Sequence, residues 1–216
     1  AASDVYKRQL APGDIKYKDL NDDGVIDAND QCYLGKSWFP SWSYGMGFNI
    51  NYHNFDLALF FQGVSDVSIM ANGGSIDTGN GDWGASGVGI VPFTGMGLNP
   101  SNVITKALDR WTADNPRADA WYPRMTANAT TNDNNYVNST HWLKDGSYLR
   151  LKQASLGYTL ENKKLMDKGI EYLYFYLSGQ NLLTFSKFKL WDPELGSNGA
   201  KYPLSRMVTL GMRVSF

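Results

Sequence analysis

The chain has 216 residues, of which 43% are hydrophobic and 14% aromatic, and its formal net charge is -1. Because the charge is balanced, no basic excess favours nucleic acid as a partner, and no acidic tail indicates a cationic one. No run approaches the ~18 apolar residues of a membrane-spanning helix, but a strand that meets lipid with every second residue would leave no such run.

The N-terminal peptide has an unusual sequence. Residues 1–9 read AASDVYKRQ, which resembles a translated end of a transposon-based sequencing adaptor. We therefore predict that this peptide is not natural coding sequence and that the natural part of the chain is residues 10–216. Cys32 is the single cysteine, so no disulfide can form within the chain.

An acidic loop follows, with the sequence DLNDDGVIDAND. Its residues match the ligand positions of an EF-hand-type calcium loop, in which alternate side chains supply oxygen atoms and a glycine at position 6 permits a sharp turn. Position 12 is an aspartate rather than the usual glutamate, and no flanking helices are evident. The sequence predicts a Ca²⁺ site, whereas the alternative is a metal-free loop of Asx turns. The predicted ligands are Asp19, Asn21, Asp23, Val25, Asp27 and Asp30.

A β-hairpin is the next predicted element. Large apolar and small polar residues alternate over residues 43–52, which is the length of a membrane-crossing strand. A tight link at His53-Asn54 leads into a second alternating stretch over residues 55–62.

A long loop is predicted between residues 64 and 146, where Gly, Asn, Asp, Ser and Thr predominate. Within it, Ser101 could cap a short helix that runs through Trp111 and ends before Pro116. The tryptophans of this loop and of a later one could stack on sugar rings, although loop packing or anchoring at a membrane interface would also explain them. These candidate substrate contacts are Trp83, Trp111, Trp121, Trp142 and Trp191.

Three more strands are predicted in the C-terminal third. Alternation marks residues 148–160 and, after a charged link, residues 170–179; a second loop over 180–205 precedes a final strand that ends on an aromatic residue. The large residues of that strand share one face: Val208, Leu210, Met212, Val214 and Phe216.

The lengths of the connections indicate the topology. Links at 53–54 and 161–169 are short, whereas those at 64–146 and 180–205 are long, and transmembrane barrels alternate short periplasmic turns with long extracellular loops in this way. We therefore predict an all-β fold: about five C-terminal strands of a large antiparallel transmembrane β-barrel with long extracellular loops. A soluble β-sandwich also alternates, but Lys and Glu would be expected on its solvent face, whereas the second face of these strands is mainly small or polar.

Taken in order, these segments resemble the C-terminal region of the SusC/RagA family of TonB-dependent outer-membrane transporters, over residues 13–216. The matching segments are GDIKYKDLNDDGVID, NFDLALFFQG, WLKDGSYLRLKQASLGYTL, SGQNLLTFSKFKLWDPEL and YPLSRMVTLGMRVSF. The resemblance implies a barrel of about 22 strands, in which an N-terminal plug, a TonB-contacting segment and most strands lie outside this sequence.

The resemblance also implies a function. It implies import of glycans or peptides across the cell outer membrane, with a SusD-like lipoprotein as the cap, TonB as the energy source, outer-membrane lipid around the barrel, and no enzymatic activity or cofactor other than the possible Ca²⁺. The alternating residues that end at Phe216 would be the signal read by the barrel-assembly machinery. Two alternatives remain: a secreted Ca²⁺-dependent carbohydrate-binding β-sandwich, and, more weakly, a glycan-cleaving enzyme that uses loop carboxylates.

Overall fold

The structure is a computed structural model that describes residues 10–35, 37–71, 105–125, 133–197, 199 and 202–216. The chain divides into two compact units. The sheet unit consists of Ser37–Ser68, Asp145–Glu194 and Pro203–Phe216, and the loop unit consists of the described residues within 1–36, 69–144 and 195–202. The adaptor-like peptide over residues 1–9, Trp83 and Ser101 lie outside the described residues.

Strands dominate the described part of the chain, as the sequence predicts. Five long strands form one antiparallel sheet in the order β1-β2-β5-β6-β7, and two three-residue strands, β3 and β4, form a second sheet. The long strands are therefore neighbours in the order in which the chain runs through them. In chain order the elements are β1 (Trp42–Tyr52), β2 (Phe55–Ser65), β3 (Ser68–Met70), β4 (Leu143–Asp145), β5 (Tyr148–Leu160), the one-turn helix α1 (Lys163–Met166), β6 (Tyr172–Ser186) and β7 (Met207–Ser215).

The two short connections form compact turns. His53 takes a φ of 50° between β1 and β2, a left-handed conformation in which histidine is several-fold enriched among non-glycine residues. Between β5 and β6, Asn162 caps α1 by accepting a hydrogen bond from the Lys164 N–H at 3.0 Å. Gly169 then ends the turn with a φ of 80°, which glycine adopts without steric cost. The first connection thus turns at a left-handed residue, and the second at a capped helical turn that ends in glycine.

Strand β6 is longer than the sequence predicts. The expected strand ended at Gly179, but β6 continues to Ser186, so the first seven residues of the predicted second loop are strand. The reason is a β-bulge: Gln153 pairs with Gln180 and Leu151 with Leu183, which places two residues of β6 opposite one residue of β5. At the bulge the apolar residues Leu182 and Leu183 are adjacent, which breaks the alternating sequence pattern locally, although Thr184 and Ser186 beyond it lie on the same face as Ser178.

The long connection between β2 and β5 also differs from the prediction. Strand β2 extends to Ser65, and the pair β3 and β4 lies within the segment expected to be a loop. From residue 105 onwards, where the structure describes it, the helix expected through Trp111 is a 3₁₀ turn over Thr105–Leu108, and an Asp109 N–H to Lys106 carbonyl bond of 2.9 Å closes it. No helix among the described residues is long and apolar enough to cross a membrane.

Candidate functional site

The two faces of the five-stranded sheet have different chemistry. Backbone pairing aligns Ile50, Leu57, Leu156, Leu177 and Leu210 in one row that crosses all five strands. This row belongs to the apolar face, and Leu210 within it is 80% exposed. The apolar face comprises Met46, Phe48, Ile50, Leu57, Leu59, Ala154, Leu156, Phe175, Leu177, Val208, Leu210, Met212 and Val214.

Next to the apolar row, on the side of the His53-Asn54 turn, lies a row of mainly aromatic residues. Register places Tyr52, Phe55, Tyr158, Phe175 and Met212 side by side across the same five strands. The rings of Phe55 and Tyr158 lie 4.6 Å apart between centroids. An aromatic row at the end of an apolar band is typical of strands that cross a membrane interface.

The opposite face, here named the polar face, carries mainly small or polar residues, with Phe60 and Met207 as large apolar exceptions. One row consists of Asn49, Ala58, Ser155, Ser178 and Thr209. The β-sandwich alternative requires a second sheet large enough to cover the apolar side of five strands. Among the described residues, the other sheet is the pair of three-residue strands β3 and β4, which is too small for that role.

The final strand carries the residues that the family resemblance implies to be the signal for barrel assembly. Strand β7 pairs with β6 from Met207 opposite Gln180 to Ser215 opposite Tyr172. It is an edge strand of the sheet, with its other backbone edge unpaired among the described strands. Its apolar side chains are largely exposed, and so is the terminal one; they are Val208, Leu210, Met212, Val214 and Phe216.

A cluster of charged side chains covers the polar face where β5 begins, and the sequence analysis did not predict it. Arg150 is 1% exposed, and its guanidinium donates a hydrogen bond to the Asp192 carboxylate. The Glu194 carboxylate accepts hydrogen bonds from the Tyr148 hydroxyl at 2.8 Å and from the Lys152 ammonium at 3.2 Å. These contacts fold residues 187–194 back over the polar face of the sheet.

The sequence did contain a signal for this cluster. Arg150 and Lys152 stand two residues apart at the start of β5, and Asp192 and Glu194 stand two residues apart in the WDPEL segment. Matched pairs of opposite charge at the spacing of a strand indicate an ion-pair cluster. Only the fold brings together two segments that lie about forty residues apart in the chain.

The acidic loop forms a chain of Asx turns. The Asp19 carboxylate accepts hydrogen bonds from the backbone N–H groups of Asp22 and Gly24, at 2.7 and 2.8 Å. Asp30 closes the loop by accepting from Leu20 and Asp27, both at 2.7 Å. Within the part of the chain that the structure describes, no group of three or more His, Cys, Asp or Glu side chains is placed to hold a metal ion.

The remaining predicted ligands follow the same pattern. The side-chain oxygens of Asn21, Asp23 and Asp27 accept bonds from the N–H groups two residues later, at 3.1, 2.8 and 2.7 Å. Gly24 has a φ of 79°, which agrees with the sharp turn expected at position 6. The loop thus has the turns of the predicted motif, with its carboxylates directed at its own backbone. Ca²⁺ binding stays a prediction.

The tryptophans proposed as substrate contacts occupy different environments. Trp142 is 0% exposed, and its indole N–H donates to the Asn135 carbonyl at 2.8 Å. Its ring packs on Trp121, with 5.6 Å between centroids. Trp142 is therefore an interior residue of the loop unit, contrary to its prediction as a substrate contact. Trp111, which packs on Gly13, and Trp191 are half-buried.

A second polar network stabilises the loop unit. Arg124 makes a bidentate ion pair with Asp14, with both nitrogen–oxygen distances at 3.0 Å. The Asn135 side chain donates to Asp14 at 2.8 Å and accepts from the Ile15 N–H at 2.7 Å. Asp14 and Ile15, which precede β1, are thus bound to Arg124 and Asn135, which lie in the connection between β2 and β5.

We expect this network to weaken in acid. Burial alone would raise the pKa of Asp14, but hydrogen bonds from Arg124, the Ala11 N–H and Asn135 hold it below its usual value. A lowered folded-state pKa stabilises the fold above the unfolded pKa of about 3.9, and this stabilisation is lost as the pH falls through the lowered value. Hydrogen exchange at the Ile15 amide should therefore accelerate as the pH falls below about 4, beyond the intrinsic pH effect on exchange.

The matched control for this prediction is Asp14→Asn, which keeps the shape of the side chain and removes its charge. At pH 7 this variant should exchange faster than the wild type at Ile15, and the difference should shrink in acid. An equal difference at pH 7 and pH 3 would contradict the role given to the Asp14 charge.

Comparison with known proteins finds similarity to TonB-dependent receptors. No protein-family model matches it. It is 30% identical over 220 residues to TonB-dependent receptor P26 of Formosa agariphila, covering 94% of this chain and 20% of that protein. It is 28% identical over 221 residues to TonB-dependent receptor P3 of the same organism, covering 95% of this chain and 19% of that protein. The chain thus spans about a fifth of the length of these relatives.

The solved structures of similar fold include those of the RagAB transporter. The RagAB peptide transporter superposes with a TM-score of 0.60 and 25% identity, over 89% of this chain and 19% of that one. The RagAB peptide importer in its "closed-closed" state superposes with a TM-score of 0.58 and 26% identity, over 90% of this chain and 20% of that one. The fold prediction is thereby confirmed: the five-stranded sheet is a piece of barrel wall of the RagA type.

Proposed function

This chain is a segment of a TonB-dependent transporter of the SusC/RagA type, and we propose that the complete protein imports oligosaccharides or peptides across the outer membrane. The observation that carries the proposal is the sheet itself, in which an uninterrupted apolar row crosses five strands and a polar row lies on the opposite face. Lipid can cover the first row, and a water-filled interior can solvate the second.

The proposed orientation follows from the connections. The His53-Asn54 turn and α1 lie on the periplasmic side, with the aromatic row of Tyr52, Phe55 and Tyr158 at that interface. The connections between β2 and β5 and between β6 and β7 then lie outside the cell. Residues 187–194 fold over the polar face, so in this orientation they project into the outer mouth of the barrel.

The proposed partners follow from the same arrangement. A SusD-like lipoprotein would cap the extracellular connections, and TonB would act through the part of the protein that precedes these strands. The barrel-assembly machinery would read the apolar residues of β7. Trp111, Trp121 and Trp191 remain proposed substrate contacts because their rings are partly exposed. The proposal assigns no catalytic step to any residue, which agrees with relatives that are receptors and importers.

The test of import uses the complete reading frame, expressed with its cognate lipoprotein in a Gram-negative host. Fluorescent short oligosaccharides and peptides are offered, and uptake is compared between cells with and without TonB. We expect the protein in the outer-membrane fraction and uptake that disappears without TonB. Uptake of the same rate in both strains, or recovery of the protein as a soluble secreted species, would refute the proposal.

We further propose that the acidic loop of the complete protein binds Ca²⁺, supported by its ligand spacing and by the φ of 79° at Gly24. Binding would require some carboxylates to rotate from backbone N–H groups to the metal. Crystals of the complete protein grown with Ca²⁺ should show an anomalous peak between Asp19 and Asp30. The Asp19→Ala/Asp23→Ala variant should lose it, and a wild-type loop without a peak would leave the loop a metal-free turn.

A further inference from the structure

Strand β6 extends beyond its neighbour β7, and a cavity forms in the resulting notch. The pairing of β7 begins at Met207 opposite Gln180, so residues 181–186 of β6 have no partner on that side among the described strands. The cavity has a volume of about 240 Å³ and opens to solvent. Its lining includes Thr184, Ser186, Lys189, Trp191, Asp192 and Arg206.

The cavity lies on the polar face. Thr184 pairs with Arg150 and Ser186 with Tyr148, so these four side chains point to the same side of the sheet. The returning segment that holds Trp191 and Asp192 forms the opposite wall. In the orientation proposed above, an entering substrate would therefore meet this cavity before the lumen.

The charges around the cavity do not cancel. Arg150 and Lys152 are neutralised by Asp192 and Glu194, through ion pairs that include a distance of 2.9 Å between Lys152 Nζ and the second carboxylate oxygen of Glu194, Oε1. That cluster has two positive and two negative groups. Lys189 and Arg206 are additional, since neither makes an ion pair or a side-chain hydrogen bond within the part of the chain that the structure describes.

Two aromatic side chains that line the cavity, Phe188 and Trp191, add a second kind of contact. Phe188 is buried, and its ring packs against the Trp191 ring in a T-shaped arrangement, with an interplanar angle of 80° and 4.7 Å between the ring centroids. This contact orients the indole, which lines the same cavity as Lys189 and Arg206. An exposed ring surface next to a guanidinium and an ammonium suits a ligand that presents a negative group on a flat or apolar body.

From these observations we propose that the notch between β6 and β7 is a subsite for a carboxylate group of the imported substrate, held by Lys189 and Arg206 with Trp191 packed on its body. The proposal rests on the proposed import function and specifies its substrate class. Two sources present this chemistry: the uronic acid units of an oligosaccharide, and the free carboxylate of a peptide. The guanidinium of Arg206 can bind either one through two parallel hydrogen bonds.

The test measures binding to the complete transporter in lipid nanodiscs, with two pairs of probes. Hexagalacturonic acid is compared with its carboxyl-reduced form, and penta-alanine with its C-terminally amidated form. The variant is Lys189→Gln/Arg206→Gln, and the control is Lys187→Gln, which removes a charge from the same segment at a residue that is 89% exposed and does not line the cavity.

We expect wild-type protein to prefer at least one carboxylate probe to its neutral counterpart, and the double variant to lose roughly tenfold in affinity for it. Affinity for the neutral counterpart, and that of the Lys187→Gln control for every probe, should stay within about twofold. The probe pair that responds identifies the source of the carboxylate. The screening of charges by salt should weaken the wild-type preference and leave the double variant unchanged.

The subsite is refuted if no carboxylate probe is preferred by the wild type, or if the double variant binds the preferred probe as the wild type does. Both variants must show the wild-type shift in gel mobility on heating, which reports a folded barrel. TonB-dependent uptake without any carboxylate preference would refute the subsite but still support the import function. Uptake that does not depend on TonB would refute the import function itself.

Discussion

Leu210→Arg in the complete protein should sharply reduce the amount of folded barrel in the outer membrane. Leu210 is 80% exposed and stands in the apolar row with Ile50, Leu57, Leu156 and Leu177. Arginine on a lipid-facing strand position costs about 2 to 4 kcal/mol at the bilayer midplane and less towards the interfaces. We expect a loss of about 2 kcal/mol, measured by urea unfolding in lipid vesicles.

The matched control is Thr209→Arg, which places the same side chain one residue earlier on the polar face, in the row with Ser155 and Ser178. Because an aqueous interior can solvate the guanidinium there, folding should change by less than about 1 kcal/mol. The comparison cancels any effect of charge on export or expression. Equal folding of the two variants would mean that the apolar face does not meet lipid.

Arg150→Met should release the segment that folds over the polar face. Removing one partner of a buried ion pair leaves an uncompensated charge and typically costs 3 to 5 kcal/mol. Asp192 keeps some solvent contact, with a side chain that is 14% exposed, so we expect the lower end, about 3 kcal/mol. Limited proteolysis of the complete protein should then cut within residues 187–194, where the wild type resists.

Lys187→Met is the control for this experiment. Lys187 lies in the same segment, but its ammonium is 3.8 Å from the Asp145 carboxylate and its side chain is 89% exposed. An exposed ion pair of this kind contributes little, so stability should stay within about 0.5 kcal/mol of the wild type. If Lys187→Met exposed the segment to protease as much as Arg150→Met, the buried cluster would not be what holds it.

Strand placement illustrates how much the sequence alone could predict. The predicted strand over residues 148–160 coincides with β5 (Tyr148–Leu160), and the apolar faces of β1 and β7 carry the residues that alternation assigned to them. Alternation succeeds here because each strand has one apolar and one mainly polar face, and successive side chains of a strand point to opposite faces.

Prediction failed where the backbone departs from regular pairing. At the bulge between β5 and β6 the apolar residues Leu182 and Leu183 are adjacent, so the alternation breaks locally although the strand continues to Ser186. The burial of Trp142 was also missed, because a lone tryptophan in a polar loop gives no sign of whether other rings surround it. Tyr122 and Trp121 do surround it, at 5.9 and 5.6 Å between centroids.

The sequence by itself determined the strands and the face that each presents, because alternation depends on neighbours one and two residues apart, and the lengths of the connections indicated the class of fold. Only the tertiary structure decided that Arg150 meets Asp192, that Asp14 meets Arg124, and that a notch forms beside β6. The two ion pairs join segments more than forty residues apart. Their geometry depends on register and on the path of the connections, which no local pattern of side chains encodes.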